Sequence, residues 1–142
     1  MKNVFLFPGQ GAQFPGMLKD FCKKGDEESV AANDVIALAE KITGENIREY
    51  MWAISAEEMA RSDRSQLAIT VMSLGMTAAL KVRGIKPDVC AGFSLGEFSA
   101  LYGSGVLSMD DTIKLVWQRG KIMQNLCDEI AQNSVNGKMP GM

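Results

Sequence analysis

The chain has 142 residues, 46% of them apolar and 23% charged, values that suit one ordinary globular domain and exclude a disordered or fibrous protein. A formal charge of -2 gives no basic field to gather phosphates, so a nucleic-acid role has no electrostatic support and any anion must be met locally. The three cysteines, Cys22, Cys90 and Cys127, are odd in number and lack CxxC spacing, so neither a disulfide framework nor a zinc site is expected and a reducing cytoplasm fits best.

The N-terminal MKNVFLFPGQG has one lysine and an apolar run that Pro8 and Gly9 end too early for a signal-peptide core. Residues 4–7 are predicted as a buried strand feeding a glycine-rich turn, FPGQGAQFPG. Residues 17–23 suit a short helix and residues 26–42 a longer one, with acidic residues at its start and Gly44 just past its end. Residues 45–60 are weakly patterned, one or two helical turns around Tyr50 and Trp52. Across residues 64–83 the pattern is helical, and Gln66, Thr70, Ser73 and Thr77 fall at i, i+4, i+7 and i+11, a narrow polar stripe on an apolar cylinder that predicts burial nearly all round. The stretch 65–80 within it reads as too short and too polar to span a membrane, and no membrane anchor is expected.

Gly84 stops that helix, Pro87 opens the next element, and residues 89–92 form a short strand. Residues 95–102 and 110–130 are predicted helices, the second with Ser108 as N-cap and Asp110 and Asp111 in its first turn. The tail NSVNGKMPGM has no periodicity. This order of elements predicts an α/β architecture with parallel strands, although two strands are few for such a sheet.

The stretch CAGFSLGEFSAL places Ser94 between Gly92 and Gly96, directly after a strand and before a helix. In a GxSxG elbow the glycines remove the Cβ atoms that would clash in a sharp strand-to-helix turn, leaving the serine Oγ proud and aiming the next backbone N–H, that of Leu95, at a developing oxyanion. Taken alone the pattern also fits a glycine-rich turn with an incidental serine. The strand before it and the helix after it favour the nucleophile. A second oxyanion donor would come from the turn at residues 8–13, because adjacent parallel strands end on the same edge of a sheet; the competing reading of FPGQG is simply a tight loop.

Arg119 falls among Leu115, Val116, Ile122, Met123, Leu126 and Ile130 on what reads as the buried stripe of its helix. A guanidinium there is costly unless an anion answers it, and its fork fits a carboxylate. It could instead snorkel to water or pair with a structural acid such as Glu97. Beside an exposed serine it describes acyl transfer on a substrate with a free carboxylate.

Three stretches, FPGQGAQ, GFSLGEFSAL and QRGKIMQ, together resemble the malonyl-CoA:acyl carrier protein transacylase family, and the resemblance runs from Val4 to about Met142. It implies that Ser94 is the catalytic nucleophile, taking malonate from coenzyme A as an ester and passing it to the phosphopantetheine thiol of acyl carrier protein, with no resident cofactor or metal. It further implies that the backbone amides of Gln10 and Leu95 form the oxyanion hole, that Arg119 grips the malonyl carboxylate, and that Gln66 lines the same pocket. Two positions depart from the family: Leu67 stands where a proline is usual, and Phe93 where a histidine usually precedes the serine. The chain also holds no histidine, whereas the family's base is a histidine in the second half of a chain about twice as long. The resemblance therefore implies a fragment: residues 1–132 as part of an α/β-hydrolase-like parallel-sheet domain, and 133–142 as a linker toward a small ferredoxin-like domain that, with the remaining strands, is absent. Such a piece is expected to be inactive alone and to associate with itself or with the missing half. A serine esterase or thioesterase of similar fold, and an inactive interaction fragment, are the alternatives.

Overall fold

A computed structural model of the chain describes residues 2–133. Strand β1 (Val4–Phe7) leads through the glycine-rich turn to the short helix α1 (Lys19–Cys22) and then to α2 (Glu27–Thr43). Helices α3 (Ile47–Trp52) and α4 (Ala56–Met59) precede the long α5 (Ser62–Val82); β2 (Val89–Gly92), α6 (Gly96–Gly103) and α7 (Met109–Asn133) complete the described chain. Local chemistry sets several of these limits. Asp26 caps α2 by accepting from the Ser29 N–H at 2.8 Å, and Gly44 ends it in the left-handed region at φ 71°. Ser108 accepts from the Asp111 N–H at 3.0 Å, as expected of the cap of α7. The capping box of Ser55 and Glu58 that fixes α4 lies in a stretch too short to show periodicity.

The strands pair in parallel, Val4 opposite Val89 through Phe7 opposite Gly92, in a sheet of two strands among the described residues. The α/β architecture is thus present, but the expectation of buried strands fails. Val4, Leu6 and Val89 are 55%, 75% and 52% exposed. With side chains alternating across the pleat, Val4, Leu6, Val89 and Ala91 share one face, which is left largely exposed.

The core lies among the helices. α5 packs against α2 on one side and α7 on the other, enclosing Ile36, Ile47, Met51, Met59, Leu67, Leu74, Ile113 and Val116. Each such side chain taken from water contributes about 1.5–3 kcal/mol before entropy is charged against it. The polar stripe of α5 is buried along its whole length, and Thr77 donates back to the Ser73 carbonyl at 2.8 Å. At 21 residues α5 does reach membrane-spanning length and apolarity, contrary to the expectation of a shorter, more polar stretch, but 67% of its most apolar window is buried in the protein. α7 runs through Asn133, one residue past the expected boundary at 132, and the rest of the expected 133–142 linker lies outside the described residues.

Candidate active site

The elbow has the geometry its spacing demands. Ser94 sits in the left-handed region at φ 50°, one of two non-glycine residues there among those described, and its side chain is exposed at the junction of β2 and α6. A Cβ on Gly92 would lie 2.1 Å from the Gly96 carbonyl, and one on Gly96 would lie 2.2 Å from the Phe7 carbonyl oxygen. Only glycine fits at either position. The Phe93 N–H extends the sheet ladder to Phe7 O at 3.2 Å, and the Gly96 N–H donates to Phe93 O at 2.8 Å, closing the turn from which Ser94 projects.

The turn after β1 lies against this elbow, since a Cβ on Gly9 would come within 2.8 Å of the Phe93 carbonyl oxygen. Gln10 follows it. Among the described residues neither the Gln10 N–H nor the Leu95 N–H has an acceptor, so two unused donors flank the elbow, one of them at the N-terminus of α6.

Arg119 is half-buried, but not on the predicted stripe. Leu115, Ile122 and Leu126 are 43%, 68% and 55% exposed, while Thr112, Val116, Gly120 and Gln124 face inward. α7 is rotated from the expected orientation because its approach to α5 selects small and amide side chains every fourth residue. The guanidinium lies at the margin of that face, with Cζ 5.8 Å from the ring centroid of Phe98, one turn beyond Ser94 on α6. It pairs with no carboxylate among the described residues, Glu97 included. Its Nη1 instead donates to Gln66 Oε1 at 2.5 Å. Gln66 Nε2 donates to Gln10 Oε1 at 3.2 Å, and Gln10 Nε2 to Ser62 Oγ at 3.2 Å. Gln10, Gln66 and Arg119, from three separate elements, therefore form one hydrogen-bonded group beside the elbow that carries Ser94 and Leu95.

Sequence reasoning missed Ser62, Phe98 and Gln124. Ser62 had a visible signal, for the polar stripe of α5 extends back one turn from Gln66 to reach it. A cavity of about 540 Å³ lies elsewhere, between β1 and α5, lined by Leu6, Met72, Met76 and Ile85 among others, and not by Ser94 or Arg119.

The family model described as acyl transferase domain matches residues 4–140. The chain belongs to the acyl transferase domain family. A malonyl CoA-acyl carrier protein transacylase of Staphylococcus aureus is 35% identical to this chain over 122 residues, covering 86% of the chain and 38% of the relative. The solved transacylase of Streptococcus pneumoniae superimposes with a TM-score of 0.80 at 34% identity, over 89% of this chain and 40% of that one. A malonyl-transacylase solved in complex with a type II polyketide synthase acyl-carrier protein matches with a TM-score of 0.79 at 31% identity, over 88% and 40%. The chain thus spans about 38% of the length of the curated relative.

Proposed function

We propose that this chain supplies the nucleophile-bearing part of a malonyl-CoA:acyl carrier protein transacylase whose remaining length lies outside these residues. Ser94 Oγ attacks the thioester carbonyl of malonyl-CoA. The oxyanion is received by the N–H groups of Gln10 and Leu95, and collapse expels the coenzyme A thiolate, leaving a malonyl ester on Ser94. The phosphopantetheine thiol of acyl carrier protein then attacks that ester, and the same donors hold the second oxyanion as Ser94 leaves. Arg119 binds the free malonyl carboxylate and so orients the reacting carbonyl, with Gln66 fixing the guanidinium. The proton taken from Ser94 requires a base, and a histidine beyond this chain is proposed for it, since these 142 residues contain none. An α/β-hydrolase-like sheet completed by further strands, a small ferredoxin-like domain and a cytoplasmic location belong to the same proposal.

The observation that carries this reading is a half-buried guanidinium with no carboxylate partner among the described residues, tied through Gln66 to a turn whose N–H meets no acceptor among them, beside Ser94. It is tested by incubating the full-length acyltransferase with radiolabelled malonyl-CoA. Label is expected on the protein, lost in Ser94→Ala, and discharged by phosphopantetheinylated acyl carrier protein. Arg119→Ala is expected to lose malonyl transfer by roughly two orders of magnitude more than acetyl transfer, since truncating one partner of a buried charge pair costs about 2–5 kcal/mol. Label that survives Ser94→Ala would end the proposal. Rapid release of free malonate without carrier protein would favour the esterase or thioesterase instead.

A further inference from the structure

The hydrogen-bond chain at the site has a direction, and the direction has an origin. A guanidinium carries donors only, so Gln66 must turn its Oε1 toward Arg119. That leaves the Gln66 Nε2 to donate to Gln10 Oε1, which in turn leaves the Gln10 Nε2 to donate to Ser62 Oγ. Ser62 is the acceptor on which the sequence of bonds ends. It is 1% exposed at the first turn of α5, where Arg61 provides no side-chain cap.

Ser62 is itself held from α7 by two residues one turn apart. The Ser62 N–H donates to Gln124 Oε1 at 2.8 Å, so Gln124, 6% exposed, takes over an orphan donor of the α5 terminus. The other Gln124 group, Nε2, donates to Asp128 Oδ1 at 2.8 Å, which fixes the amide's orientation. Gly120 lies directly against Ser62: a Cβ there would be 2.8 Å from the Ser62 carbonyl oxygen. The glycine lets α7 approach and the glutamine locks it. Both belong to QRGKIMQ, whose final glutamine the proposed chemistry leaves without a role.

We propose that Ser62, held by Gln124, is a positioning residue for the oxyanion turn: it anchors the side chain of Gln10 and thereby keeps the Gln10 N–H beside the elbow while Gln66 and Arg119 approach from the other end. The inference rests on the transacylase reading. Its consequence is specific to the transition state, because the anchored N–H meets charge only when the oxyanion forms, whereas the Arg119 clamp acts on bound substrate as well.

The test uses the full-length acyltransferase with active sites counted by stoichiometric Ser94 acylation. Ser62→Ala is expected to lower kcat per active site roughly ten- to a hundredfold, the range that follows from misplacing a catalytic group by about 1 Å, with the KM for malonyl-CoA within about twofold of wild type. Ser62→Thr, which keeps the acceptor, is expected to recover most of that loss. Ser62→Cys, similar in size but a poor acceptor, is expected to behave as Ser62→Ala and takes its place should the alanine variant fail to fold. Unchanged kcat in the folded Ala or Cys variant, while Ser94→Ala is inactive, would overturn the positioning role alone. Full activity in Ser94→Ala would instead bring down the transacylase reading and this inference with it.

Discussion

At the scale of single residues, Ser94 holds a backbone conformation that disfavours any side chain. A non-glycine residue in the left-handed region stores about 1–3 kcal/mol, retained because the strand, the helix and the two close carbonyl contacts leave the chain no alternative path. Ser94→Ala keeps the strain and Ser94→Gly relieves it. The glycine variant is therefore expected to unfold at higher denaturant, with stability about 1 kcal/mol above that of the alanine variant after the greater freedom of its unfolded chain is deducted. Equal midpoints in urea would show that the elbow is unstrained. The serine was legible in the sequence because GxSxG encodes the geometry through its own spacing. Arg119 was legible only as a charge in an apolar stretch: its partner Gln66 is 53 positions away, and no local pattern reports that a glutamine rather than a carboxylate meets it. Gln124 looked like an ordinary polar residue because its function depends on the proximity of two helix surfaces.

At the scale of elements, caps were legible and faces were not. Gly44 and Ser108 act within their own turns, so their effect is written locally, whereas Asp26, read as the first residue of its helix, is the cap before it. The orientation of α7 depends on how closely it approaches α5, which residues of α7 alone do not specify. A second tie on α7 yields a prediction. Glu45, in the connection between α2 and α3, accepts from the Tyr50 hydroxyl and from the Trp117 indole N–H at 3.1 Å, and pairs with Lys121 Nζ at 3.1 Å. The Tyr50 bond foremost, with Lys121 and Trp117, holds the Glu45 carboxyl below its usual range, against the opposing effect of burial. Burial and the same Glu45 bond push the Tyr50 phenol up to about 12, so it remains a donor at any ordinary pH. Since the folded-state pKa of Glu45 is depressed, its contribution is fully present above the ordinary value of 4.5 and is lost as pH falls through the lower folded value. Glu45→Gln is expected to lower the thermal midpoint at pH 7, with the gap to wild type closing as both are titrated below pH 4.5. A gap that stays constant down to pH 3, on the order of a unit and a half below the usual glutamate pKa, would exclude the charge as its cause.

At the scale of the whole molecule, the helices have a closed core and the sheet does not. β1 and β2 pair only with each other among the described residues, so each presents an unpaired edge, and the face carrying Val4, Leu6 and Val89 is open to solvent. Phe93, 77% exposed, extends this apolar surface toward the elbow. Parallel sheets are ordinarily covered on both faces, and an apolar strand with a free edge is a template for another chain. For the 142-residue chain by itself, a second copy is the partner always at hand, and burying even a few of these side chains at about 1.5–3 kcal/mol each offsets much of the cost of association. Light scattering behind size exclusion is therefore expected to give a mass above the 15.4 kDa of one chain, rising with loading concentration. Leu6→Lys should return it toward monomer with little loss of folded stability, because Leu6 is 75% exposed and the charge need not be desolvated until copies meet. A monomer at every concentration in the wild-type chain would show that the open sheet is protected from association by some other means, and would remove the expectation that this face is self-adhesive.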